Sequence, residues 1–202
     1  LRSSVDWNYK TDFPLGNVVN ESGVLHITSN VQGVGDHAAN MIRREFEVMP
    51  LSRDERNGGI ILGETGTRNV TVSAGALWDR LNRFTIPAFN SSVSGDFDAY
   101  YRNGGSSFTA SSGIATWPNI YYDNNSGTLA TMTAGYVAVL WFYVETDGDV
   151  VMVFGRNEYT TSAAADAEEP PGTVPNRITA AGKLIGKLVF QKGAGSAISI
   201  SS

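Results

Sequence analysis

The sequence feature that most constrains the fold is "GYVAVLWFYVETDGDVVMVFG", residues 135–155, in which two apolar strands flank a turn. Strand side chains alternate between the two faces of a sheet, so Trp141 and Tyr143 lie on one face and Phe142 on the other. Both faces are apolar, whereas a hairpin with one solvated face alternates apolar and polar residues. The central "DG" pair predicts a tight type I′ turn. The hairpin must therefore be covered twice, by two layers of its own chain or by one layer and a neighbouring subunit.

The rest of the chain predicts β structure with many turns. Short apolar runs recur about every 8–12 residues, a spacing typical of a sandwich or barrel. The expected fold class is all-β, an antiparallel, jelly-roll-like β-sandwich over residues 51–202. Residues 1–50 are more polar and predict an extended N-terminal arm, a candidate oligomerisation segment. Within that arm a strand is favoured over a helix for residues 40–50.

One stretch, "TTSAAADAEEPPGTVP", departs from the strand pattern. Thr161 or Ser162 can cap a helix, and the proline pair that follows would end it. We therefore expect one short helix near residues 162–169.

The last apolar run, "KLIGKLVFQ" from residue 183, predicts a strand with two unlike faces. Strict alternation places Leu184, Leu188 and Phe190 on a clean apolar face. The same alternation places Ile185 on the other face, together with the two lysines.

Composition argues against several function classes. The 15 basic and 20 acidic residues give a net charge of −5 without a basic stripe, so no nucleic-acid partner is expected. The absence of cysteine excludes disulfides and thiolate chemistry. No run reaches the roughly 18 apolar residues of a membrane span, so no membrane insertion is expected. "GVGDHA" lacks the third glycine of a dinucleotide loop, and "YDNNSG" fits a hairpin turn better than a calcium loop, so we expect no cofactor and no metal.

Residue types that could catalyse a reaction are sparse. His26 and His37 are the only imidazoles, and the neighbour Asp36 points away from His37 on an extended chain. Asp96 and Asp98 are alternate residues of the kind that glycoside hydrolysis could use as a pair of carboxyl groups. We expect no enzymatic activity.

Aromatic residues beside polar groups give the stronger signal for binding. Trp117, Tyr121, Tyr122 and Asp123 form the predicted ligand-binding set, because such rings stack on sugars and anchor interfaces. Packing in the core or at a subunit contact explains the same aromatics and is the favoured interpretation.

Several segments follow one another in a characteristic order: "YYRNGG", "TWPNIYYDNNSG", "GYVAVLWFYVETDGDVVMVFG", "AAADAEEPPGTVP" and "KLIGKLVFQKGA". Over roughly residues 86–202 this order resembles a domain of tailed-bacteriophage tail-fibre and other virion appendage proteins. "DHAANMIRREFEV" and "TGTRNVTVSAGALW" resemble segments that precede it. The resemblance brings no catalytic motif and no transferable receptor-site residues.

The resemblance implies a virion structural protein on the particle exterior that takes part in host attachment. It implies a homotrimer, with Trp141, Phe142 and Tyr143 as the predicted interface, which contacts other virion proteins and a host surface glycan or protein. The alternatives are a capsid-decorating or head-fibre protein, a glycan-cleaving tail enzyme that uses Asp96 and Asp98, and a carbohydrate-binding or adhesin module.

Overall fold

The computed structural model describes residues 16–21, 24–29, 38–43, 45, 51–53, 59–79, 82–93 and 95–202. Contacts divide the chain into two compact units, Leu1–Met49 and Pro50–Ser202. None of the helices in these described ranges is long and apolar enough to cross a bilayer.

The first unit contains a hairpin and a short helical segment. Strand β1 (Gly16–Glu21) pairs antiparallel with β2 (Val24–Ser29). Residues 38–43 and 45 are helical (α1), so the strand predicted for 40–50 is wrong at these positions. Alanine, methionine and arginine, which are good helix formers, dominate this segment and outweigh the strand pattern. Residues 46–50 of that prediction lie outside the described residues.

The second unit is built almost entirely of strands. Its elements are β3 (Ser52–Arg53), β4 (Leu62–Thr65), β5 (Asn69–Val72), β6 (Gly75–Asp79), β7 (Asn82–Ile86), β8 (Phe89–Asn90), β9 (Phe97–Arg102), β10 (Phe108–Ile114), β11 (Tyr121–Tyr122), β12 (Ala130–Thr131), β13 (Val137–Glu145), β14 (Val150–Phe154), α2 (Ser162–Asp166), α3 (Asn176–Ala181), β15 (Gly182–Gln191) and β16 (Ser199–Ser201). The all-β sandwich prediction is confirmed.

The main sheet has six strands in the order β10-β9-β14-β13-β15-β16. All neighbours pair antiparallel except β9 and β14, which are parallel. Two three-stranded sheets, β4-β5-β8 and β3-β6-β7, supply apolar residues to the core on one face of the main sheet. The β11-β12 hairpin packs Tyr121 and Tyr122 against the same core. This face is therefore covered by layers of the same chain.

The second face of the central hairpin is covered by residues 155–181, which we call the covering segment. The buried side chains of this face are Val137, Val139, Trp141, Tyr143, Val151, Val153 and Val189. Ala165 of α2 and Ile178 of α3 are buried against them, with Tyr159 and Val174 at the margin. The chain itself supplies both layers that the two-sided hairpin requires.

The prediction that Trp141, Phe142 and Tyr143 form an oligomer interface is wrong. Trp141, Phe142 and Tyr143 are 3%, 0% and 6% exposed within the single chain. Phe142 points into the main core, and the other two lie under the covering segment. Almost none of their surface is left for a neighbouring copy, because α2 and α3 cover Trp141 and Tyr143 and the main core encloses Phe142.

The short helix predicted near 162–169 is confirmed as α2. The Thr161 hydroxyl oxygen accepts a hydrogen bond from the Ala164 N–H at 3.2 Å, which makes Thr161 the N-cap. Helix α3 was not predicted. Its sequence, "NRITAA", is too short and too weakly periodic to signal a helix without its contacts to the sheet.

A bulge in β15 reverses part of the predicted face assignment. Phe142 pairs with Gly186 while Tyr143 pairs with Leu184, so Ile185 is an extra residue. Ile185 consequently joins Leu188 and Phe190 in the main core, and Leu184 faces the covering segment. The prediction for Leu184 and Ile185 is wrong because one inserted residue switches every side chain before it to the opposite face.

The predicted type I′ turn is also wrong. Gly148 has a φ of 98°, but Asp147 lacks the positive φ that this turn type requires at both central residues. The Gly148 N–H donates to the Glu145 carbonyl oxygen at 3.0 Å, and the Glu145 N–H donates to the Asp149 carbonyl oxygen at 2.9 Å. The connection is therefore a three-residue loop closed by a left-handed glycine.

Burial of Tyr143 predicts alkaline instability. Burial raises its pKa from 10.0 to about 12, an effect that Arg156 opposes. The unfolded chain ionises this phenol first, so between pH 10 and 12 the free energy of unfolding should fall by about 2–3 kcal/mol. Denaturant unfolding at pH values on either side of this interval measures the loss. Tyr143→Phe should lose less, and an equal loss in both proteins would show that Tyr143 is not responsible.

Candidate functional site

Trp117, from the predicted ligand-binding set, is a core residue. It is 0% exposed and packs on Phe190 with ring centroids 5.2 Å apart. Its indole Nε1 donates to Glu64 Oε1 at 2.8 Å, and the Arg68 guanidinium lies 5.8 Å from the ring centroid. The prediction that Trp117 stacks on a ligand is therefore wrong, because both of its faces are taken by the protein.

The Asp123 side chain is also buried. Its Oδ2 accepts hydrogen bonds from the Arg102 backbone N–H at 2.9 Å and from the Arg102 Nε at 3.0 Å. Its Oδ1 accepts from the Asn125 N–H at 2.7 Å, and Arg102 Nη2 donates to its carbonyl oxygen at 3.1 Å. The Asp123 side chain is 2% exposed. Asp123 thus ties the end of β9 to the turn after β11 instead of binding a ligand.

Tyr121 and Tyr122 lie in the β11-β12 hairpin and are half-buried. Both pack against the main core, as Trp117 does. The structure thus brings the predicted aromatic set together, but as a core cluster with a buried ion pair at its end. Of the two alternatives in the favoured interpretation, packing in the core describes the three aromatic residues.

Two turns meet above the Asp123–Arg102 ion pair and form an exposed surface. We call residues 103–107 and 124–128 the tip. A Cβ placed on Gly104 would lie 3.8 Å from the Cα of Gly127, so the two turns are in near contact. Asn103, Ser106, Asn124 and other side chains of the tip are exposed. The tip is a surface of amides and hydroxyls that a buried ion pair holds in place.

A second cluster of charged groups surrounds Arg177 of α3. Its Nε and Nη2 donate to the two carboxylate oxygens of Glu145 at 2.8 and 2.5 Å. Its Nη1 donates to Asp98 at 2.5 Å and to the Tyr100 hydroxyl at 3.4 Å, and Nη2 also donates to Asp149 at 3.1 Å. The hydrogen bonds with Glu145 are the largest cause of a raised pKa at Arg177. One guanidinium therefore joins three carboxylates from different parts of the sheet.

Carboxylate oxygens of Glu145, Asp147 and Asp149 lie within 4.8 Å of one another, the spacing of a possible cation site. Arg177 already supplies a positive charge to two of them. Arg177 offsets only part of the negative charge of the cluster, and its hydrogen bonds tie α3 to the main sheet. Sequence reasoning missed it because Arg177 and Glu145 are 32 residues apart and no spacing rule connects them.

The two carboxyl groups predicted as a glycan-cleaving pair, Asp96 and Asp98, have different surroundings. Asp98 is bound by Arg177, whereas Asp96 is exposed and precedes the first residue of β9. The imidazoles form no described site either: His26 lies in β2 opposite Val19, its side chain not among those described, and His37 lies outside the described residues.

The Glu168 carboxylate holds the covering segment against the sheet by accepting three hydrogen bonds. Its Oε1 accepts hydrogen bonds from the Trp141 indole Nε1 and from the Arg156 N–H, each at 3.1 Å. Its Oε2 accepts from the Tyr159 hydroxyl at 3.0 Å. Lys187 lies 5.4 Å from the Trp141 ring centroid and donates to the carbonyl oxygen of Asp166. These groups satisfy the polar atoms at an otherwise apolar contact.

Comparison with protein-family models, with curated proteins and with solved structures finds no match to this chain.

Proposed function

We propose that the chain is a non-enzymatic structural module of a tailed bacteriophage, a fibre or appendage domain on the outside of the virion that takes part in host attachment. The observation that carries the proposal is where the motifs of the resemblance lie. The motifs form the turn around Trp117, the β13-β14 hairpin, α2 and β15. All four belong to the two cores of the second unit or cover them. Proteins that share a structural domain would share the residues that build its fold, and these motifs are such residues.

The chemistry of the described residues supports a binding module over an enzyme. Asp98, needed for the glycan-cleaving alternative, is bound to Arg177. The buried acids Asp123 and Glu145 are each paired with an arginine. A scaffold whose charges are satisfied internally presents variable loops as its contact surface, which is how many recognition domains work.

The proposal includes assembly as a homotrimer. Because α2 and α3 cover the face of Trp141 and Tyr143, the subunit contacts would come from other surfaces. Light scattering across a dilution series should give a mass near three chains. A stable monomer mass would refute the trimer and would leave the structural module itself to be tested separately.

Antibodies against the purified chain test the virion assignment directly. In immunogold microscopy of the phage that encodes it, we expect label at the tail fibres or another appendage, and Fab fragments should inhibit adsorption to host cells. Label spread over the capsid would instead support the decorating alternative. Unlabelled particles would refute the proposal, and release of reducing sugar from host polysaccharide by the purified chain would support the enzyme.

A further inference from the structure

Residues 103–144 contain one charged residue, Asp123, in a chain in which 17% of residues are charged. That one charge is buried and paired with Arg102. Part of the segment is core, but the tip and most of β10 are exposed. Exposed surfaces of soluble domains ordinarily mix charges of both signs. The exposed side chains of the tip itself are polar and uncharged, and charged residues from outside the segment, such as Asp96 beside Gly113, lie along β10.

The tip is also held in a defined conformation. Gly104, Asn125 and Gly127 have positive φ values of 69°, 62° and 91°, the left-handed conformation that the two turns require. The Asn103 N–H donates to the Ser107 carbonyl oxygen at 2.8 Å, and Asn124 Oδ1 accepts from the Ser126 N–H at 3.0 Å. Beneath them the Asp123–Arg102 ion pair joins the two turns. Groups held in this way lose little entropy when they bind a ligand.

The exposed groups of the tip define the ligand chemistry that would fit it. Amides and hydroxyls both donate and accept hydrogen bonds, as the hydroxyls of a sugar do. An anionic ligand would find no compensating charge among them. Protein interfaces need apolar or aromatic anchors, and the exposed large apolar side chains of the described residues lie elsewhere, at Met41, Ile42, Ile61, Val93 and Ile198.

We infer that the tip is a binding site for a neutral, hydroxyl-rich saccharide. This inference rests on the proposed function and deepens it, since it names the chemistry of the host surface that the module would contact. The ligand lies across the two turns and exchanges hydrogen bonds with Asn103, Ser106 and Asn124. The buried ion pair positions the turns and does not touch the ligand.

The test uses the purified 202-residue chain on an array of immobilised neutral, sialylated and sulfated oligosaccharides. We expect retention on neutral oligosaccharides and not on their anionic counterparts. Ser106→Glu should weaken binding to the best neutral probe at least tenfold, because its carboxylate must be desolvated without a partner. Ser196→Glu is the matched control, an identical change at an exposed serine in the turn before β16, and it should bind as the unmodified chain does.

Three results would overturn the inference: no retention on neutral oligosaccharides, preference for anionic ones, or equal binding by the two glutamate variants. If Ser106→Glu instead changes the molar mass of the assembly and no oligosaccharide is retained, the tip is a contact between copies and the inference fails. The immunogold experiment is independent of these outcomes. If virions are labelled but the tip binds no sugar, the inference fails and the proposed function is still supported.

Discussion

Replacing Asp123 with alanine is expected to lower the free energy of unfolding by about 3–5 kcal/mol, the cost of breaking a buried ion pair from one side. The change leaves the guanidinium of Arg102, a side chain that is 15% exposed, without its carboxylate. It also removes the acceptor of the Arg102 and Asn125 backbone N–H groups. Urea unfolding at neutral pH, followed by fluorescence and circular dichroism, measures the difference.

Asp147→Ala is the matched control for this prediction. Asp147 is exposed and its Oδ1 accepts a hydrogen bond from the Asp149 N–H at 3.1 Å, the same local pattern that Asp123 makes with Asn125. It lacks the ion pair with an arginine that Asp123 has, so its loss should cost within about 1 kcal/mol. Similar losses in the two variants would contradict a structural role for the Asp123–Arg102 pair.

Asp123 also illustrates how far the sequence could predict the site. A carboxylate beside two tyrosines and a tryptophan fits a sugar-binding surface as well as a buried structural pair, and the deciding partner, Arg102, is 21 residues away. The exposed turns above it are rich in Gly, Ser and Asn, a composition that is typical of surface turns. Their approach to each other, at Gly104 and Gly127, goes with the Arg102–Asp123 contact between the β9-β10 and β11-β12 hairpins, which local patterns do not encode.

The fold could be predicted where the alternation of side chains between the two faces of a strand is the only signal needed. Apolar residues on both faces of β13 correctly indicated two covering layers, and the capping residue with the proline pair indicated α2. Alternation failed at Ile185, because a bulge leaves no composition signal. It also could not tell whether a subunit or the chain's own connection covers Trp141. That answer depends on the tertiary contacts of both short helices, such as those of Ala165 in α2 and Ile178 in α3.

Replacing Arg177 with alanine is the second change for which we expect a large effect, a loss of about 3 kcal/mol in the free energy of unfolding. The variant leaves the buried carboxylate of Glu145, 5% exposed, without its bidentate partner. It also leaves Asp98 and Asp149 near that carboxylate without the shared cation. The effect belongs at the lower end of the range for buried pairs, because the Arg177 side chain is 31% exposed.

A double-mutant cycle separates this pairing from lost packing. Glu145→Gln removes the charge that Arg177→Ala leaves unpaired, so the double variant should be at least about 1 kcal/mol more stable than Arg177→Ala alone. Arg156→Ala is the control, since the hydrogen bond that Arg156 gives to Glu168 comes from its backbone, and its loss should cost within about 1 kcal/mol. If the two changes at positions 145 and 177 are additive in urea unfolding, the ion pair does not hold α3 on the sheet, and the covering segment must depend on Ala165 and Ile178.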